Sequence, residues 1–224
     1  MSKATLRYCI LTAADAIEAA RDELCRLDAV AGDGDHGVTM ALAARAVRQK
    51  LDENPDTAGA DLLAKVALGL GSVGGAIGPI YATGLLRVAG VVRTLGPGDG
   101  SPTVGQLRAC AEAALSGITS LGHAKPGDKT IVDALVPIFA ALETAEGEGL
   151  TIRDALDAAV VAARSGADST AGMIATLGRA SRLGERSRGS GDPGATSFAI
   201  IVEALVGAWE AGFGAGPNAA ESYS

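Results

Sequence analysis

The sequence predicts an all-α protein, a single-domain barrel or bundle of about eight antiparallel up-and-down helices. Three observations carry this. Apolar residues recur at helical spacing through nearly all of the 224 residues. Alanine is common, while aromatic residues make up 3% and β-branched residues are sparse, a composition that disfavours an all-β fold. The connections are short, so consecutive helices should pack as antiparallel neighbours. The length suits one core over 1–213, and the Gly, Ala and polar residues of 214–224 read as a disordered tail.

The predicted helices span 4–26, 37–51, 59–72, 78–94, 103–120, 128–144, 151–177 and 194–212. The first three rest on amphipathic spacing alone. Gly96-Pro97-Gly98 closes the fourth. Ser101-Pro102-Thr103 opens the fifth, with Thr103 as N-cap. Gly147 and Gly149 follow the sixth. Thr151 and Asp154 form a capping-box pattern at the seventh, with Asp in place of Glu. Asp192-Pro193 fits an N-cap with proline in the first turn of the eighth.

Composition excludes several function classes. A net charge of −7 disfavours nucleic acid and anionic membrane as partners, because phosphate would be repelled. Cys9, Cys25 and Cys110 form neither a CxxC nor a Cys/His cluster, so a disulfide framework and structural zinc are not expected. Neither a signal peptide nor a run of 18 apolar residues is legible, which predicts a cytoplasmic protein without a membrane span.

Four stretches rich in Gly, Asp, Ser and Pro (28–39, 71–79, 122–130 and 184–196) follow alternate helices and should converge on one rim. The first holds Asp28, Asp33 and Asp35 among Gly32, Gly34 and Gly37. On a continuous helix Asp28 and Asp33 would lie about 140° apart. In a glycine-broken loop all three can gather. Three carboxylates so placed repel by about 1 kcal/mol per pair in water and attract a hard divalent cation. The alternative is that they are turn formers and an N-cap. The glycine spacing is not that of an EF-hand. Because Mg²⁺ normally shares its carboxylates with phosphates, the metal reading implies a nucleotide or phosphate ligand.

Two other motifs fail on context. Gly69-Leu-Gly-Ser-Val-Gly74 is formally GxGxxG, and 122–130 looks like a Walker A with Asp128 inserted, but neither follows a strand. Gly74, Gly75, Gly78 and Gly127 still offer backbone N–H groups near helix starts, where anions are favoured. Close helix packing is the alternative for 69–78. Arg179, Arg182, Arg186 and Arg188 precede the last helix in an acidic chain, a pattern for phosphate, an acidic partner or a solvated cluster.

Together these segments resemble the L subunit, the nucleotide-binding subunit, of bacterial dihydroxyacetone kinase. They equally resemble the C-terminal domain of the single-chain ATP-dependent kinases. The resemblance is carried by Asp28-x4-Asp33-Gly-Asp35-His36-Gly37, Ser72-Val73-Gly74-Gly75-Ala76-x-Gly78-Pro79, Lys125-Pro126-Gly127-Asp128-Lys129-Thr130, and Gly178-Arg179 through Asp192-Pro193-Gly194-Ala195-Thr196. It implies a barrel of eight antiparallel helices with ADP or ATP capping one end. Asp28, Asp33 and Asp35 would hold two Mg²⁺ ions and serve catalysis. His36, Gly37, Val38 and Thr39 would meet phosphate. Ala76 and Ile77 would lie against the nucleotide, Gly122 and Ile131 would border adenine, and Arg179, Asp192, Pro193 and Gly194 would complete the pocket. A partner K subunit would hold dihydroxyacetone, or a related keto-sugar, on a histidine. ADP would be rephosphorylated in place by a phosphohistidine carrier (M subunit) of the phosphotransferase system, or else ATP would exchange freely. A homodimer stays open. Ile77 stands where the family often has Ser, Arg182 where an aromatic is common, and Ser190-Gly191 where a bulkier polar pair is found. Ile77 is the feature that would favour a non-catalytic ADP-binding regulatory protein.

Overall fold

The computed structural model describes residues 3–96 and 101–214. Among the described residues it holds nine α-helices and no strand: α1 (Lys3–Ala19), α2 (Arg21–Ala31), α3 (His36–Glu53), α4 (Gly59–Gly71), α5 (Ile77–Leu95), α6 (Val104–Gly122), α7 (Val132–Gly147), α8 (Ile152–Ser169) and α9 (Pro193–Gly214). Two 3-10 segments, Thr170–Gly172 and Arg179–Ser187, lie between α8 and α9. Eight of the helices form a closed ring in the order α1, α3, α4, α5, α6, α7, α8, α9, with α9 returning to pack on α1. The all-α barrel of eight helices is therefore what forms, and α2 is a ninth segment lying across α3 and α9 at one end.

Small residues let the staves approach closely. One core cluster joins Ala134 and Ala145 of α7, Ala155, Ala159, Ala163 and Ala167 of α8, and Ala195 and Ala199 of α9. At Gly166 an added Cβ would lie 2.4 Å from the Asp133 carbonyl, so α8 rests directly on the α7 backbone. Leu24, Leu62 and Val132 are fully buried and anchor three other parts of the wall. By length and composition α9 is apolar enough to cross a bilayer. Here it packs on α1, α7 and α8, and its Glu203 and Glu210 pair with Arg164 and Arg153 of α8.

Several element ends differ from the sequence expectation. The predicted 4–26 helix breaks at Ala20 (φ −83°, ψ 0°), and α2 then continues to Ala31, so Asp28 is helical. No Gly or Pro marks this bend; it follows from α2 turning to bury Leu24 beside α3. The 128–144 helix starts only at Val132, because Lys129 takes a left-handed φ of 61°. The 151–177 helix stops at Ser169, and 179–187, outside every predicted helix, forms 3-10 turns. The caps at Thr103 and Thr151 form, and the first is a full capping box with Gln106. Gly214 ends α9, and the rest of the predicted tail, 215–224, lies outside the described residues, as do Pro97 and Gly98.

Candidate functional site

The N-termini of α3, α5, α7 and α9 meet at one rim. His36 opens α3, and its Nε2 lies 3.0 Å from Ser197 Oγ in the first turns of α9. Tyr81, near the start of α5, reaches the same hydroxyl at 3.2 Å. Gly194 of α9 faces the backbone N of Ile131, which precedes α7. The first N–H groups of a helix lack intrahelical partners and carry its positive dipole end, so this rim is electropositive in its backbone.

The acidic side chains stand at the same rim. Asp28 lies on the last turns of α2, and its Oδ2 accepts hydrogen bonds from the N–H of Asp35 (2.9 Å) and of His36 (3.2 Å). It thus ties the end of α2 to the start of α3. Gly32 permits the reversal, since a Cβ there would fall 2.2 Å from Asp28 Oδ1, and Gly34 takes a φ of 77°. One oxygen each from Asp28, Asp33 and Asp35 then lie within 4.8 Å of one another. Asp28 is half-buried and the other two are exposed. The Arg179 guanidinium pairs with Asp33 and stands 3.8 Å from Asp35. Three oxygen donors with a cation already drawn to them fit a hard divalent ion such as magnesium.

Behind this surface lies a buried polar layer that the sequence did not reveal. His36 is 7% exposed; burial lowers its pKa, with the Asp28 charge pulling the other way. Burial likewise raises the Tyr81 phenol, against its hydrogen bond with Ser197. Asp133, also buried, accepts the N–H groups of Gly127 (2.5 Å) and Thr130 (2.8 Å) and so shapes the loop before α7. A carboxylate three residues after Thr130 is the only signal that could have announced it. Asp128 accepts from the Lys125 N–H and the Thr176 hydroxyl, which lower its pKa, the hydroxyl more.

Asp192 caps α9, its Oδ2 accepting the Ala195 N–H at 2.7 Å, while its own N–H donates to the Thr170 hydroxyl. Burial pushes its pKa from 3.8 up to about 6, against the pull of its hydrogen bonds and of Lys129. An acid with a raised folded pKa stabilises the protein at low pH, and that contribution is lost as pH rises through the folded value. Relative to the parent, Asp192→Asn should therefore gain roughly 2 kcal/mol in stability between about pH 4 and about pH 8. Urea unfolding of both proteins at each pH measures this. A pH-independent difference would show that Asp192 ionises freely.

The remaining sequence-predicted residues are placed as follows. Gly37 is buried against α2, with the Arg21 carbonyl 1.9 Å from where a Cβ would stand. The Val38 side chain is exposed in a groove with Arg21, Ala41, Leu42 and Arg45, on the flank of α2 and α3. The Thr39 N–H closes the first turn of α3 on the Asp35 carbonyl. Ala76 is exposed at the cap of α5. The Ile77 side chain packs inward near Leu24 and Met40. Gly122 ends α6, and Ile131 is buried beside Ala124 and Leu135. The structure thus gathers Asp28, Asp33, Asp35, His36 and Arg179 in one group, and Ile131, Asp192 and Gly194 in a second. The side chains of Val38 and Ile77 belong to neither. Of the glycines in 69–78, Gly69 is a packing residue against Ala46 and Lys50, and Gly78 lies against the Val73 carbonyl. Gly74 and Gly75 are open.

A family model described as the DAK2 domain matches residues 30–207. The chain belongs to the DAK2 domain family. Among DAK2 relatives it is 38% identical over 184 residues to the Escherichia coli protein named PEP-dependent dihydroxyacetone kinase, ADP-binding subunit DhaL, covering 82% of this chain and 86% of that one. It is 40% identical over 191 residues to L-erythrulose 1-kinase of Mycolicibacterium smegmatis, covering 82% of this chain and 32% of that one. The chain spans only 32%, 34% and 33% of three erythrulose kinases that it matches. The crystal structure of the dihydroxyacetone kinase from C. freundii in complex with AMP-PNP and Mg²⁺ superposes with a TM-score of 0.68 at 25% identity, covering 92% of this chain and 34% of that one. The named DAK2 relatives are kinases or kinase subunits, and the helical barrel is common to this chain and the solved structure.

Proposed function

We propose that this DAK2 chain is the nucleotide-binding phosphotransferase subunit of a dihydroxyacetone kinase. In this reading the γ-phosphoryl group of ATP passes to a hydroxyl of dihydroxyacetone, or of a related keto-sugar such as erythrulose, held by a partner K subunit. The P–O bond to ADP breaks, the new bond forms to the sugar oxygen, and the hydroxyl proton leaves to solvent. The observation that carries the reading is the convergence of Asp28, Asp33 and Asp35 with four helix N-termini at one rim. Helix N-termini favour phosphate oxygens, whereas carboxylates repel them unless a divalent cation lies between.

Asp28, Asp33 and Asp35 would hold the magnesium, two ions in the family's manner. When bound, magnesium would neutralise phosphate charge as it shifts during transfer. The helix starts at His36–Thr39 and at Ala76 and Ile77 would orient the phosphates through backbone N–H groups. Arg179 would turn from Asp33 toward phosphate oxygens, which it can engage with two donors. Gly122 and Ile131 would border adenine, and Asp192, Pro193 and Gly194 would close the pocket.

Likeness to a stand-alone ADP-binding subunit supports rephosphorylation of ADP in place by a phosphohistidine carrier of the phosphotransferase system. Likeness to the longer erythrulose kinases supports free exchange of ATP. Ile77 is accounted for by core packing, so it does not argue for a non-catalytic ADP sensor. The test is to incubate the chain with ATP, Mg²⁺, dihydroxyacetone and a matching K subunit, and to follow phosphorus NMR. Sugar phosphate should form only in the complete mixture. Its absence, with bound ADP and a phosphorylated carrier also supplied, would sink the kinase reading.

A further inference from the structure

Lys129 is the one buried lysine or arginine among the described residues, 5% exposed, and its ammonium makes no ion pair with them. Instead its Nζ donates to the carbonyls of Thr170 (2.7 Å) and Ser190 (2.5 Å), with that of Met173 at 3.5 Å. Its backbone is left-handed, φ 61°, where glycine would sit at less cost. A lysine is therefore kept at a strained position for what its side chain does.

The carbonyls it binds lie at both ends of the stretch 170–190. That stretch leaves the barrel after α8, carries Arg179 out to Asp33, and returns to α9. Only 3-10 turns give it regular structure. Its two ends are further tied to each other by Gly189 N–H to the Ala171 carbonyl (2.8 Å), Arg188 to the Gly172 carbonyl (2.6 Å) and Ala175 N–H to the Ser187 hydroxyl (2.9 Å). The whole is a long loop whose neck is drawn together on one ammonium.

We propose that Lys129 is a positioning residue for the phosphate site, cinching the neck of the 170–190 loop so that Arg179 is held beside Asp33 and Asp35. This rests on the nucleotide reading above. Because Lys129 acts through Arg179, its loss lowers the fraction of molecules with the arginine in place, and the apparent affinity for a phosphate ligand falls by that fraction.

The experiment compares the parent, Lys129→Met, Arg179→Gln and the double variant by titration calorimetry, with Mg²⁺ alone and with ADP plus Mg²⁺. Amide hydrogen exchange is measured on each protein. In Lys129→Met the ADP affinity should fall roughly tenfold, as expected if the loop is in place a tenth of the time. The affinity for Mg²⁺ alone should not fall, because Asp28, Asp33 and Asp35 stand on α2 and its link to α3. Exchange should rise over 170–190 only. The double variant should bind ADP no more weakly than Arg179→Gln, since the two residues act in series. Unchanged ADP affinity, additive losses, or faster exchange throughout the barrel would each overturn the proposal. If Lys129→Met does not fold, Lys129→Gly, which suits the left-handed backbone and removes the ammonium, carries the same comparison. A parent chain that binds no ADP would overturn the nucleotide reading instead, while the exchange data would still decide whether Lys129 cinches the loop.

Discussion

Asp33→Asn should abolish magnesium-dependent binding of ADP and lower phosphoryl transfer by about 10²–10³-fold, while the helices stay formed. Asp33 is the cleanest of the three carboxylates to change. It is exposed, it lies in the short link between α2 and α3, and its partner is Arg179 at the surface. An exposed ion pair of this kind contributes little to stability. Asp28 is different, because its carboxylate also holds the N–H groups of Asp35 and His36, and its loss would damage the start of α3 as well. Asn at 33 keeps the shape and removes one negative charge from a site whose attraction for a divalent ion depends on having three. Calorimetry with ADP, with and without Mg²⁺, and far-ultraviolet circular dichroism together read the outcome. Magnesium-dependent affinity equal to that of the parent would remove Asp33 from the metal site.

Gly37→Ala should destabilise the protein by about 3 kcal/mol, near the upper end for one added methyl group in a packed interior. The methyl carbon would have to occupy space 1.9 Å from the Arg21 carbonyl and 2.8 Å from Cys25 Sγ. The first is helix backbone, so relief requires α2 to move as a unit away from α3. That movement would carry Asp28 away from Asp35 and His36, so the same variant should also weaken magnesium binding. Urea unfolding checks the stability and calorimetry checks the ion. A parent-like midpoint would mean that α2 shifts freely on α3.

What could be read from the residues alone was what depends on local chemistry. Thr103, Thr151 and Asp192 cap helices because their side chains meet N–H groups three residues away. The gathering of Asp28, Asp33 and Asp35 was legible because glycines at 32 and 34 free the chain to reverse. What stayed hidden depends on partners far along the chain. Nothing near Ala20 announces a bend, since its cause is the fit of Leu24 beside α3. Lys129 reads as a charged residue at the start of a helix until the carbonyls of 170 and 190 are folded onto it. Ser197 and Tyr81 look like an ordinary helix pair with no link to His36, some 161 and 45 positions distant, yet the three meet in one buried layer. Gly37, read as a phosphate contact, has a packing duty that only the approach of α2 makes visible.

The closure of the ring by α1 against α9 has a practical corollary. The stretch matched to the family begins at residue 30. It therefore omits the whole first stave and Asp28 with it. A protein trimmed to those limits would be an open gutter, with Ile200 and Ile201 of α9 stripped of the cover that Ala14 and Ile17 give them, and with one corner of the carboxylate triangle cut away. Where the recognisable pattern starts and where a self-supporting molecule starts are here two different places.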